Sequence, residues 1–411
     1  MSNFKTALKG YFEPNILLFL FLGLSCGVPF NLIGSTLSLR AKECGLDLKT
    51  IGLFAFILLP YSFKFLWAPI IDCVRLPILS KIGPKKAWGI VFQLLLLLSV
   101  CALSFISPKK DTTALFYISL AAAFFSASQD IIVDALRIDT LKGDALKEGS
   151  SLYQLGYRTG MLVSGAGIIA LSEYLPWHFC YQLSILLVLF GMIALFFLKE
   201  PVDTKAKKLN FKNLIFAPFK DFMHRHKNWF KLLLFVVLYK ICNALLGRMA
   251  YPFYLDIGFT KGQISLISST IGTFITMFGV FLGGLLMVKV GYLKSMMYLG
   301  FVEILTSFAF ALLAFIGPNV SVFATVIIFD NIVGGMGGAV FVAFLSSLCS
   351  PNFSATQYAL LTSLTMVALS SLAATSGWLA QNLGWILFFI ATGIIMTPSL
   401  FLLQNLTKEE K

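Results

Sequence analysis

Apolar runs broken by short polar loops recur from one end of the chain to the other. Segments long enough to cross a bilayer fall near 15–39, 49–71, 88–107, 113–136, 150–172 and 177–198. After a polar stretch come 231–256, 263–288, 293–316, 320–347, 355–381 and 384–405. Each holds about 20 residues or more, the length a helix needs to cover the hydrocarbon. The pattern predicts an all-α membrane protein of twelve transmembrane helices. The basic connector 199–230 divides them into an N-terminal six-helix bundle, 1–198, and a C-terminal one, 231–411, as in transporters built from two repeated bundles.

Composition agrees. The 411 residues are 58% hydrophobic and only 12% charged, about half the charged share of a soluble domain, so the bilayer must solvate much of this surface. The net charge of +13 would suit nucleic acid, but the basic residues sit in short loops between apolar runs. Their bias toward alternate loops expects both termini in the cytoplasm, with the basic loops meeting anionic lipid heads. The seven Cys are scattered without a C-x-x-C and read as small buried hydrophobes. His224-Arg225-His226 lies in a basic loop and reads as solvated surface. Lys5 and Lys9 before an apolar run imitate a signal peptide. Without a small-x-small cleavage site after that run, the segment is expected to stay as an uncleaved first helix. No Walker loop, zinc motif or nucleophile elbow is present, so no enzyme, metal or cofactor is expected.

Polar groups inside the spans carry the functional information, because each is costly there unless paired or wetted. In the fourth span Ser119, Ala122, Ser126, Gln129, Asp130, Val133, Asp134 and Arg137 recur at three- and four-residue spacing and form one polar stripe. Buried hydrogen bonding between helices and a water-filled path both explain it. Counting inward from the cytoplasmic end places Lys64, Asp130 and Arg158 at similar depth on three spans. That suggests a charge cluster, either a static salt bridge or a functional one, with Lys64 and Arg158 balancing Asp130. Asp134, beside Arg137 and nearer the cytoplasm, is expected to stay ionised and structural. The second half offers Lys240, Asn243, Gly247 and Tyr251 on one face, with Arg248 beside them. Asp330-Asn331 precedes Gly334-Gly335-Met336-Gly337-Gly338, a run that would serve close packing or a bent, gating segment. Gly156-x-x-x-Gly160 reads as packing, and Glu303 has no evident partner. Pro29 recurs as Pro252 in the seventh span, and Asp72…Arg75…Gly83-Pro84-Lys85-Lys86 has a degenerate echo in Lys289-Val290-Gly291…Lys294.

Several blocks resemble the AmpG-type muropeptide permeases of the major facilitator superfamily. They are Gly27-Val28-Pro29, Lys49 to Phe54, Tyr61 to Pro69 with Asp72, Ser126 to Ile131 with Asp134-Ala135, and Leu155 to Gly165. In the second half they are Leu238-Tyr239-Lys240, Asn331 with Gly334 to Gly337, and Phe353 to Gln357. The resemblance implies the major facilitator fold and a multi-pass protein of the bacterial inner membrane. It also implies import of anhydromuropeptides from periplasm to cytoplasm, driven by protons. Family members commonly carry Asp where this chain has Asn243, and the best-known bacterial members extend beyond twelve helices.

The expected cavity lies between the two bundles. Lys64, Gln129, Asp130, Arg158, Lys240, Asn243, Asp330 and Asn331 are its substrate-binding or coupling residues, and Pro29, Gly334, Gly335 and Gly337 its gating residues. Asp130 is the candidate coupling carboxylate. The partners are a disaccharide-peptide, protons and the lipid bilayer, with a monomer expected and no nucleic acid. A carrier of another anionic metabolite, such as an acyl-CoA or nucleotide, and a transporter-like receptor that binds without turnover remain alternatives.

Overall fold

The computed structural model describes residues 10–46, 48–77, 79–200, 211–373 and 375–409, and the regular structure among them is helical. The long helices are α1 (Pro14–Leu32), α2 (Ser35–Glu43), α3 (Pro84–Phe105), α4 (Thr112–Thr140), α5 (Asp144–Leu162) and α6 (Trp177–Phe197). They continue with α7 (Phe211–Arg225), α8 (Trp229–Asp256), α9 (Gly272–Val290), α10 (Tyr292–Ile316), α11 (Val320–Leu348), α12 (Ser354–Ala373) and α13 (Ser376–Glu409).

Among the described residues, nine helical stretches are long and apolar enough to cross a membrane, α1 and α2 counting together as Pro14–Glu43. The other three expected spans are helical in a less regular way. The second, 49–71, is broken into short α and 3-10 pieces between Leu48 and Cys73. Pro60 and Pro69 each begin a new piece, since proline has no N–H to continue the preceding helix. The fifth runs through α5 and a π turn, Val163–Gly167, to Leu171. The eleventh, expected over 355–381, stops as α12 at Ala373. Within α13 a left-handed Gly384 (φ 71°) divides the residues before it from the last span, a conformation glycine adopts without steric cost.

The chain forms two compact units. One comprises residues 1–222 with 345–363, the other 223–344 with 364–411.

Close backbone contact builds the first unit. A Cβ on Gly156 would strike the carbonyl oxygen of Leu20, and one on Gly160 that of Leu24. Reciprocally, Gly23 and Gly27 of α1 lie against the carbonyls of Tyr153 and Tyr157. The two helices therefore pack through paired small-x-x-x-small faces, as van der Waals association in lipid requires. Gly156-x-x-x-Gly160 thus serves packing as expected, and Gly27 joins it. In the second unit, Gly283 of α9 sits with its would-be Cβ 2.7 Å from the Met336 carbonyl oxygen of α11, and Gly335 lies against the Thr276 carbonyl. The glycine run 334–338 is helical throughout, so close approach accounts for Gly335 without a bend. Gly334 has nothing near its would-be Cβ. Pro29 is buried inside α1, which ends three residues later at Leu32.

At the start of α5, Glu148 is buried, 5% exposed, beside the backbone of Gly10. Burial, then Asp144 and Glu13, push its carboxyl up to about 7.

Two outcomes are expected. Gly156→Val should lower the melting midpoint of the purified protein by several degrees, since overpacking costs about 1–3 kcal/mol. An unchanged melting curve would contradict the α1–α5 packing. Glu148 binds its proton more tightly folded than unfolded, so between its unfolded value near 4.5 and about 7 stability should fall as pH rises. Glu148→Gln should flatten that slope and stabilise the protein above pH 7, as read by thermal melts across the range.

Candidate functional site

The stripe on α4 is buried along its whole length. Ser119, Ser126 and Arg137 are 0% exposed, and Gln129, Asp130 and Asp134 are no more than 5%. Its outer part is tied into neighbouring helices. The Tyr61 hydroxyl donates to Ser126 Oγ (2.9 Å), and Trp67 Nε1 donates to Ser128 Oγ (2.9 Å). Gln129 Nε2 donates to Ser25 Oγ of α1 (2.9 Å), which also accepts from Gln93 of α3 (3.1 Å) and donates to the Val188 carbonyl (3.2 Å). Ser25 is thus a junction of four helices, and Gln129 ties α4 into it.

The charges pair differently from the depth count. Lys64 reaches Asp134 (3.9 Å), which also holds Arg137 at 2.9 Å. Counting depth along the backbone ignores the lysine stem, which carries the ammonium about one helical turn along its neighbour. Asp130 still feels Lys64 and touches Cys26, and its Oδ1 has no hydrogen-bond partner. Arg158 does not balance Asp130. Tyr153 and Tyr157 are the α5 residues near that carboxylate, and Arg158, one residue on, is rotated by about 100° around the helix. Among the described residues Arg158 has no ion-pair partner, and its Nε is buried without a hydrogen bond. The first unit therefore offers an unmatched guanidinium and a carboxylate with a free oxygen.

Arg137 is the most heavily engaged cation. Besides Asp134, its guanidinium lies over the rings of Tyr153 (4.5 Å) and Tyr358 (5.3 Å), and Nη2 donates to Ser346 Oγ (3.1 Å). Nearby, Lys85 Nζ meets Asp139 (2.6 Å), Ser354 Oγ (2.6 Å) and Asp72 (3.3 Å). Asp72 in turn accepts from the backbone N–H groups of Thr356 (2.8 Å) and Ala355 (3.3 Å) and from the Thr356 hydroxyl (2.7 Å). A carboxylate at the start of α12 satisfies orphan amides and meets the positive end of the helix dipole. Glu200 does the same for α3, accepting from the amides of Lys85 and Lys86 (both 3.0 Å). Gln357 Nε2 donates to Asp221 (2.8 Å). Asp72, Lys85, Asp139 and Ser354 were missed as a working group. The signal available was the Asp72…Lys85-Lys86 loop, whose partners lie some 270 residues away.

In the second unit Lys240, Asn243 and Asp330 gather around Glu303, which is 2% exposed. Asn243 Nδ2 donates to Glu303 Oε1 (3.4 Å), which a carboxylate at 243 could not do. The Lys240 ammonium lies over the Phe341 ring (5.1 Å). Asn331 turns away, receiving the Thr276 hydroxyl of α9 (2.6 Å) and donating to the Ile327 carbonyl (2.8 Å). Tyr251 is 49% exposed, and the side chain of Arg248 lies outside the described residues.

Residues 19–375 match the Major Facilitator Superfamily. A Rickettsia felis protein named "Putative transporter AmpG 4" is 36% identical over 395 residues, covering 94% of this chain and 95% of that one. The anhydromuropeptide permease of Escherichia coli K12 is 33% identical over 398 residues, covering 96% of this chain and 80% of that one. Among solved structures, a variant of the E. coli fucose:proton symporter aligns with a TM-score of 0.71 at 14% identity, over 96% of this chain and 99% of that one. The fold, the sequence match and relatives a third identical along nearly the whole length agree: the chain belongs to the Major Facilitator Superfamily, with the AmpG-type permeases, and is a multi-pass membrane transporter rather than an enzyme.

Proposed function

We propose that this protein imports anhydromuropeptides across the bacterial inner membrane by proton symport. Twelve spans with both termini in the cytoplasm, working as a monomer, complete the reading. The observation that carries it is Arg158, a guanidinium inside a membrane helix with no anionic partner among the described residues. An intramembrane cation without a counter-charge is costly, and a carboxylate-bearing substrate would offset that cost when bound. The peptide stem of an anhydromuropeptide carries such carboxylates, and a relative covering 96% of this chain bears that substrate in its name.

Asp130 is the coupling carboxylate in this reading. It is buried, has one oxygen without a hydrogen-bond partner, and sits near Lys64 without a close ion pair. A group that takes and releases a proton needs that latitude, whereas Asp134 is held by two cations. Lys240 and Asp330 are the proposed substrate or coupling residues of the second unit, whereas Asn331 is turned to Thr276 and Ile327 and Gly335 is held in close packing; Pro29, Gly334 and Gly337 are the proposed gating residues.

The deciding experiment expresses the chain in a bacterium lacking its own muropeptide permease and measures labelled anhydromuropeptide uptake with and without a protonophore. Uptake abolished by the protonophore is expected. Uptake of a nucleotide or acyl-CoA instead would favour the other anionic carriers, and saturable binding without accumulation would favour a receptor. Asp130→Asn should abolish accumulation yet preserve exchange of labelled for unlabelled substrate; normal accumulation would remove Asp130 from the role. Arg158→Gln should weaken substrate binding about tenfold or more, the loss expected of a charge-assisted hydrogen bond, with unchanged affinity counting against it.

A further inference from the structure

We propose that a cavity at one end of the first unit binds the phosphate group of an anionic phospholipid. The site is independent of the transported substrate.

Three stretches of spanning length, Pro14–Glu43, Pro84–Phe105 and Trp177–Phe197, have an end at this place. Between those ends lies a cavity of about 390 Å3, whose lining includes Arg40, Cys44, Ser107, Trp177 and His178. Where spans end, the chain leaves the hydrocarbon and meets lipid heads, so the cavity lies at phosphate depth. Phe105, also in the wall, is 70% exposed and offers apolar surface for acyl chains beside a polar head.

Arg40 gives the cavity its charge. It is 4% exposed, with Nη1 donating to the Leu103 carbonyl and Nη2 to the Ile106 carbonyl, both at 2.7 Å. Its guanidinium also lies over the Tyr181 ring at 4.7 Å. Carbonyls and a ring fix the group in place but supply no full negative charge, and the two carbonyls leave further N–H donors for a ligand. Among the described residues, no carboxylate lies within ion-pairing distance of Arg40.

The facing wall has the same polarity. α6 starts at Trp177, behind Pro176 and without a side-chain cap, so the positive end of its dipole borders the cavity. His178 and the exposed Ser107 bring further donors. The acids at this end leave the place open. Glu43, Asp111 and Glu173 are exposed, where water and salt screen them, and Glu43 Oε2 accepts from Trp177 Nε1 (2.8 Å). A metal ion fits poorly, because the guanidinium repels it and no cluster of three His, Cys, Asp or Glu is present among the described residues. A phosphodiester has one negative charge and two free oxygens, which suit a guanidinium fork. A zwitterionic head offers the same phosphate but adds a cation, which Arg40 disfavours.

Cys44, half-buried in the wall, reports whether the cavity is filled. The full chain is placed in nanodiscs of phosphatidylglycerol or of phosphatidylcholine, and labelling by an uncharged maleimide is followed at Cys44 by peptide mass spectrometry. Cys73, equally half-buried but outside the cavity, is the control. Labelling of Cys44 should be severalfold slower in phosphatidylglycerol, with Cys73 unchanged. Arg40→Gln should remove that protection and Arg40→Lys keep most of it. Ser107→Glu should expel the lipid by repulsion while Ser107→Gln does not, and because Ser107 is exposed this arm holds even if Arg40→Gln folds poorly. Equal labelling of Cys44 in the two lipids would overturn the proposal, as would protection that persists in Ser107→Glu. Protection by millimolar inorganic phosphate in phosphatidylcholine would assign the cavity to a soluble anion and overturn the lipid as its source.

Discussion

Arg137 is wholly buried, and much of the first unit is arranged around its charge, although its Nε and Nη1 make no hydrogen bond. A guanidinium has five donors and a charge that cannot be shed, so within a bundle it must be surrounded by acceptors and π faces. Asp134 supplies the counter-charge one turn back on the same helix, Tyr153 and Tyr358 supply rings, and Ser346 supplies a hydroxyl. Two of those partners lie in the segment 345–363, far along the chain. The Lys85–Ser354 and Asp72–Thr356 contacts hold the same segment. The grouping of 345–363 with the first unit follows from this polar network.

Among the described residues of the first unit, Lys64 and Arg137 pair with Asp134, while Arg158 has no ion-pair partner and a buried Nε without a hydrogen bond. Around Glu303 in the second lie Asn243, which donates to its Oε1, and Lys240, while Oε2 is buried without a hydrogen-bond partner. An intramembrane cation without a counter-charge calls for an anionic ligand.

Much of the fold was legible along the chain. Apolar runs of spanning length follow from the thickness of hydrocarbon, which any single segment must match alone, and among the described residues nine of them appear as long helices. The stripe on α4 was also legible, because helical periodicity is a property of consecutive residues. The broken course between Leu48 and Cys73 was less so. Its Pro60 and Pro69 are visible, but neighbouring helices decide whether proline kinks a span or divides it.

Which charges would meet was beyond the sequence. Depth along a helix can be counted, but azimuth and side-chain reach cannot. Lys64 therefore finds Asp134, Tyr157 stands where Arg158 was expected, and Glu303 gains Asn243 as a partner. The sequence by itself determined that this chain lives in a membrane, that its spans are helical and that a few charges are buried in them. Only the tertiary structure decided which were paired and which left in excess, because ion pairing depends on distances of a few ångströms between helices that the chain's own periodicity does not encode.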